Sequence, residues 1–261
     1  MIEITTIIPT IGRESLNRAI QSALVQKHIK NHIIVVDDST CQSLNFSNVT
    51  IIRTGGNRGV AFARNLGIRA AKSEWIAFLD DDDQWLPNKS ILQVEYMKLK
   101  NLDLSLTCAF MSNQKLIRPK KIYKGRIDPL EEIYSDFYPF RRDYYLPFPS
   151  VMISGRAAKN LSFDQTLNER EDLWYLHQAY QLNYKIEQLS KPLVIINFDP
   201  KRSIKRPAIQ DDFHWINLLT GLSKLLGLKF AIKVALRNRI LSLDIVGVYR
   251  LLIKIIVVII G

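Results

Sequence analysis

The sequence predicts an α/β fold, a mostly parallel sheet with helices on both faces, followed by a C-terminal helical appendage. Three observations carry that reading. Short continuous apolar runs alternate with helix-periodic segments over residues 2–100. The runs at 33–36 and 75–79 are continuous, as strands buried on both faces should be. The alternation weakens after residue 103, and the charge balance changes after residue 200.

Residues 2–8 read as the first strand and Pro9-Thr10-Ile11-Gly12-Arg13 as a loop. A helix is expected over 14–25, where Leu16, Ile20, Ala23 and Leu24 recur at helical spacing. Ile33-Ile34-Val35-Val36 is a second buried strand, stopped by Asp37-Asp38-Ser39, and residues 49–53 are a short third. Gly55-Gly56-Asn57-Arg58-Gly59 is a turn opening a helix over about 60–72. Its glycines serve the turn, since no Lys-Ser/Thr follows to make a phosphate loop. The fourth strand covers 74–79, and Pro87 suits the first turn of a helix over 88–100. Further on, Leu104 to Met111 is strand-like, and 112–148 is rich in Lys, Arg, Tyr and Pro with weak periodicity. Val151-Met152-Ile153 reads as a strand, 171–183 as a helix and 193–198 as a last strand.

The chain has 261 residues and is 47% hydrophobic, enough to build a full core. Cys41 and Cys108 are far apart and fit no metal spacing, so they read as reduced thiols of a cytosolic protein. The start, Met1 to Pro9, reads as a strand and not as a signal peptide. Residues 201–261 carry eleven Lys/Arg against three acids, which is +8 of the net +11. The basic character therefore belongs to the tail and points to an anionic surface as that segment's partner.

The richest local feature is Asp80-Asp81-Asp82-Asp83, directly after the apolar run Trp75-Ile76-Ala77-Phe78-Leu79. Adjacent carboxylates repel one another. A hard divalent cation offsets that repulsion, and Mg²⁺ or Mn²⁺ on carboxylate oxygen can also hold a diphosphate. The carboxyl end of a strand in an open α/β sheet is where ligands bind. A solvated acidic turn is the plain alternative.

Four motifs in order carry a resemblance. Ile7-Ile8-Pro9-Thr10, Val35-Val36-Asp37-Asp38-Ser39, the run Asn57-Arg58-Gly59 to Ala63-Arg64-Asn65, and Phe78-Leu79 with the four acids and Gln84-Trp85 resemble the family 2 inverting glycosyltransferases, which have the GT-A fold. The match is strong over residues 2–100 and continues more weakly to about 200. The resemblance implies a nucleotide-sugar donor. It places Pro9 and Thr10 along the nucleoside, and Asp38, with Asp37 as its neighbour, and Arg64 at the base. It places Asp80 or Asp81 at the ribose and Asp82 on the metal, Mn²⁺ or Mg²⁺, with Asp80 as a further ligand. Asp83 then shapes the turn. Arg64 alone would read as a surface helix residue paired with an acid, and Asp37 as a turn cap.

Displacement with inversion also needs a base opposite the leaving group, and a carboxylate suits that role. The resemblance assigns it to Asp172, with Glu171 and Glu169 as alternates; a helix-capping role for Asp172 is the competing reading. His177 would contact acceptor or serve the core, and Trp85 and Trp174 would line core or pocket. Absence of Gln-x-x-Arg-Trp and of long apolar spans favours transfer of a single sugar over processive extrusion.

The expected organisation is a catalytic domain over 1–200, with 1–100 the nucleotide-sugar half and 101–200 the acceptor half, and a tail over 201–261. Apolar positions over 213–239, with Lys229, Lys233 and Arg237 four apart, describe a basic amphipathic helix. Residues 210–261 would lie on an anionic membrane surface, placing the protein in the cytoplasm on the inner face of the membrane. Packing on the domain or an oligomer contact is the alternative, and nucleic acid is not an expected partner. The acceptor would be a glycan or lipid-linked glycan, in cell-surface polysaccharide synthesis. Two other functions compete: a sugar-phosphate nucleotidyltransferase, for which Gly12-Arg13 is a poor triphosphate loop, and a non-catalytic binding module on the same fold.

Overall fold

The computed structural model describes residues 1–40, 44–112, 116–135, 145–167 and 170–197. The expected basic tail, Glu169, Cys41, Tyr138, Arg141, Arg142 and Tyr144 lie outside them. The elements in chain order are β1 (Ile2–Thr10), α1 (Leu16–Leu24), β2 (Ile29–Asp37), β3 (Thr50–Arg53), α2 (Val60–Ala70), β4 (Trp75–Phe78), β5 (Gln84–Trp85) and α3 (Lys89–Lys100). They continue with β6 (Leu104–Met111), β7 (Leu116–Arg118), α4 (Pro129–Ser135), β8 (Met152–Ser154), α5 (Gly155–Lys159), α6 (Glu171–Gln181) and β9 (Ile186–Ile196). A 3-10 turn covers Phe148–Ser150.

One sheet runs through both halves, in the order β3-β2-β1-β4-β8-β6-β9-β5, with β7 on β6. β1 pairs in parallel with β2 and β4, and β2 with β3. β8 then enters antiparallel between β4 and β6, while β6 and β9 run parallel. The sheet is mixed, its reversed members being β5, β7 and β8.

Alternate residues feed two cores, because successive side chains of a strand point to opposite faces. Ile76 and Phe78 join Ile7, Ile34 and Val36 beneath α2, α5 and α6. Trp75, Ala77 and Leu79 join Ile4, Ile8, Ile33 and Val35 beneath α1 and α3. The strands β1, β2 and β4 are therefore buried on both faces, which is why Ile33–Val36 and Trp75–Leu79 are continuous apolar runs. Helix α2 lies unusually close to β1: a Cβ on Gly67 would stand 2.5 Å from Cγ2 of Ile7, so only glycine fits there.

Three expectations need correction. Pro87 precedes the N-cap Asn88 and so lies outside α3, where its carbonyl accepts from Lys27 N at 2.9 Å. The last strand starts at Ile186, well before the apolar run at 193. Its first half carries Glu187, Gln188, Ser190, Lys191 and Pro192, and the register with β6 shifts beside Pro192, so apolar continuity misses it. Within 112–148, β7 and α4 were not anticipated; they are only three and seven residues long. No helix among the described residues is long and apolar enough to cross a membrane.

Candidate active site

The site forms where the strand order reverses. From β1 the chain goes to β2 on one side and to β4 on the other, leaving a crevice at their carboxyl ends. Register aligns those ends: Thr10 faces Asp37 across the β1–β2 pair, and Leu79 N donates to Ile7 O at 3.1 Å, so the acids emerge beside Thr10. A cavity of about 250 Å³ opens there. It is lined by Pro9, Thr10, Arg13, Asp38 and Arg64, by Asp80, Asp81 and Asp82, and by Glu171 and Asp172. Of the residues named from the sequence, Pro9, Thr10, Asp38, Arg64, Asp80 to Asp82, Glu171 and Asp172 line it, whereas Asp37, Asp83, His177, Trp85 and Trp174 do not.

Their individual settings differ from expectation in instructive ways. Asp38 is buried and holds the glycine turn: Oδ2 accepts from Gly59 N at 2.8 Å, and Oδ1 from Arg58 N at 2.9 Å and from Thr54 Oγ1. Gly59 sits at φ 86°, a conformation a side chain disfavours, and it opens α2. Asp37 accepts from Ser39 N at 3.0 Å, which is the turn-capping role. Asp81 is 2% exposed; Thr10 Oγ1 donates to Oδ2 at 2.6 Å, and Arg13 binds Oδ1. Asp83 accepts from Asn197 N at 2.8 Å and its own N–H donates to Asp80 O at 3.1 Å, so it ties the acid turn to the end of β9.

Arg64 is not a surface residue. It is 3% exposed, with Nη2 on Asp80 Oδ1 at 2.9 Å and Nη1 on Glu171 Oε1 at 2.7 Å. Its guanidinium lies over the Phe148 and Phe163 rings, 4.6 and 5.3 Å from their centroids. The neighbouring Asn65 exchanges two hydrogen bonds with the Phe163 main chain, both at 2.8 Å. One turn of α2 therefore binds the acid loop to the second half of the chain.

Helix α6 begins after Arg170, whose φ of 67° turns the chain so that Glu171 and Asp172 open the helix. Burial pushes the Glu171 carboxyl up to about 7; the Asp172 charge adds to this and Arg64 opposes it. Burial also raises Asp172, against the pull of Arg64. Asp172 is inside the helix and not its N-cap, although Oδ1 accepts from Leu173 N at 2.7 Å. Burial, together with the charges of Asp83, Asp172 and Asp80, pushes the Tyr145 phenol well above its ordinary range.

His177 turns away from acceptor chemistry. It is buried, with Nδ1 2.6 Å from Asp128 Oδ2, and so joins α6 to the start of α4. Trp85 is core, its Nε1 donating to Pro149 O at 2.8 Å.

Carboxylate oxygens of Asp80, Asp82 and Asp83 lie within 4.8 Å of one another. That set of hard oxygen donors fits Mg²⁺ or Mn²⁺ and contains Asp82 and Asp80. Sequence reasoning missed Arg13 and the Arg64–Glu171 pair. A basic residue in the loop after β1 was a signal for the first, whereas the second joins residues 107 apart and has no local signature.

The family model for glycosyl transferase family 2 matches residues 5–159. WfaP of Escherichia coli, named as a UDP-Glc:alpha-D-GlcNAc-diphosphoundecaprenol beta-1,3-glucosyltransferase, is 25% identical over 169 residues, covering 62% of this chain and 64% of its own. The succinoglycan biosynthesis protein ExoO of Rhizobium meliloti is 36% identical over 186 residues, covering 64% of this chain and 52% of its own. The chain thus spans about half to two thirds of these relatives, and only 34% of an uncharacterized glycosyltransferase of Haemophilus influenzae. Among solved structures, residues 1–349 of S. aureus TarS in complex with UDP-GlcNAc superpose with a TM-score of 0.66 at 20% identity, covering 90% of this chain and 71% of that one. That likeness establishes the fold expected from the four motifs.

Proposed function

We propose, from the premise that this chain belongs to glycosyl transferase family 2, that it moves a single sugar from a nucleotide-diphosphate donor to a hydroxyl of a glycan or lipid-linked glycan, with inversion, in cell-surface polysaccharide synthesis. The observation that carries the proposal is the composition of one cavity. Groups from the ends of β1, β2 and β4 share it with the buried Glu171 and the half-buried Asp172 at the start of α6.

In this reading Pro9, Thr10, Asp38 and Arg64 frame the nucleoside side of the cavity, and Asp80 and Asp81 its ribose side. Asp82, with Asp80, would hold Mn²⁺ or Mg²⁺. When bound, the metal supplies positive charge to the diphosphate leaving group. Asp172 takes the proton of the acceptor hydroxyl. The freed oxygen attacks the anomeric carbon from the face opposite the diphosphate, the carbon–oxygen bond breaks, and the nucleoside diphosphate leaves with the electron pair. Glu171, its carboxyl raised to about 7 by burial, stays bonded to Arg64 beside the base. Asp172 is favoured over Glu171 because Arg64 already occupies the Glu171 carboxyl.

The remaining assignments follow the same reading. Residues 1–100 form the donor half and 101–200 the acceptor half, with Tyr145 on the acceptor side. The tail would hold the protein peripherally at the inner membrane face through residues 210–261.

The test is product analysis. A panel of nucleotide sugars, UDP-glucose first, is incubated with a lipid-diphosphate-linked sugar, the donor and acceptor classes named for WfaP. The expected result is nucleoside diphosphate release and a product whose new anomeric linkage is inverted by NMR. Retained configuration would contradict the displacement. Pyrophosphate release from a nucleoside triphosphate and sugar phosphate would instead make the protein a nucleotidyltransferase.

A further inference from the structure

Arg13 stands on the loop between β1 and α1, facing the acids across the cavity. Its Nη1 binds Asp81 Oδ1 and lies 3.6 Å from Asp82 Oδ2. From the start of α1, Arg18 Nη2 donates to the Asp82 main-chain oxygen at 3.3 Å. Asp81 does not depend on Arg13 for its position. It is buried, and Thr10 Oγ1, itself fixed by Gly12 N at 2.9 Å, donates to its other oxygen. The Arg13 side chain keeps 36% of its surface and is free at one edge to move.

A guanidinium fork binds carboxylate and phosphate with the same geometry. Arg13 therefore bridges Asp81 and, at 3.6 Å, the carboxylate that a divalent cation would also take, Asp82, beside the place where the donor-site reading puts the diphosphate. A cation docking on Asp82 alone meets a positive neighbour a few ångströms away. Arrival of a diphosphate removes that conflict by giving Arg13 an anion of its own.

We infer that Arg13 is a donor-responsive counter-ion: it neutralises Asp81 and Asp82 in the absence of donor and transfers to the diphosphate oxygens when donor binds, so that metal and donor bind as a pair. The inference rests on the donor-site reading above. Its thermodynamic content is a coupling between two ligands, and such coupling is reciprocal. Because Arg13 competes with the cation at Asp82 and then binds the diphosphate, removing it should raise metal affinity and lower nucleotide affinity. General damage to the cavity would weaken both.

The experiment uses the full chain, as wild type, Arg13→Gln and Arg13→Lys. Mn²⁺ alone is titrated by electron paramagnetic resonance, and UDP, GDP, CDP and dTDP are titrated calorimetrically with Mn²⁺ present. Arg13→Gln is expected to bind Mn²⁺ alone about fivefold more tightly and the preferred diphosphate about tenfold more weakly. Arg13→Lys, which keeps the charge and loses the fork, should retain wild-type Mn²⁺ affinity and weaken the diphosphate about threefold. It also decides the matter if the glutamine variant does not fold. Both affinities unchanged, or both weakened, in Arg13→Gln would overturn the role of Arg13 and leave the donor site standing. Wild type that binds none of the four diphosphates would overturn the donor reading and the inference with it.

Discussion

Two carboxylate groups face each other across the cavity, and they are managed in opposite ways. Asp80, Asp81 and Asp82 sit at the end of β4 with cationic or hydroxyl partners supplied from β1, its loop, α1 and α2. Glu171 and Asp172 sit at the start of α6, and Arg64, the guanidinium beside them, is shared with Asp80. The first group meets cationic and hydroxyl partners on three sides of the turn. The second is pushed toward protonation, as a group that must accept a proton requires. Both groups are carboxylates, and in the proposed mechanism their surroundings divide binding from proton transfer.

The sharpest way to break that division is Asp172→Asn. Transfer should fall by about 10³-fold while nucleoside diphosphate affinity stays within about twofold, as read by steady-state kinetics and calorimetry. Loss of diphosphate binding instead would assign Asp172 to the donor site. Next comes Arg64→Met, which leaves Asp80 and Glu171 without their shared cation. Stability should drop by about 3–5 kcal/mol in urea denaturation, since a buried pair is broken from one side. A drop below about 1 kcal/mol would mean the pair is not buried in solution. Asn65→Ala removes two buried hydrogen bonds to Phe163 and should cost about 2 kcal/mol, measured in the same way.

A smaller effect tests the second group directly. The Glu171 carboxyl is raised from 4.5 to about 7, so the folded protein binds a proton there that the unfolded chain has released. That contribution is present at low pH and is lost as pH rises from about 5 to about 8. Glu171→Gln lacks it. The melting temperature of the variant minus that of wild type should therefore grow more positive across this range. A constant difference would show that Glu171 titrates normally.

The same contrast explains what could be read from the chain. The donor side was legible because each of its parts is local: an apolar run, then an acid, then the next helix. Asp80 to Asp83 announce themselves as charge at the end of Trp75 to Leu79. The type of Asp38 was legible; its grip on Gly59, 21 residues away, was not. Beyond residue 103 the parts are not local. β8 is three residues long and gains its place by slotting between β4 and β6, which no periodicity encodes. Likewise, Glu171 and Asp172 are visible as acids at a helix start, but their raised affinity for protons comes from burial and from sharing Arg64. Arg13 was passed over because a basic loop residue is usually solvated, and its tie to Asp81 spans 68 positions.

The central claim is that the acid turn after β4 holds a nucleoside diphosphate through a divalent cation. Calorimetric titration of UDP, GDP, CDP and dTDP into wild type and Asp82→Ala, each with Mn²⁺ and with EDTA, tests it most directly. The account predicts that one diphosphate binds wild type with Mn²⁺, and that EDTA or the substitution abolishes the binding. Equal binding in all four conditions, or none to a folded wild type, would contradict it.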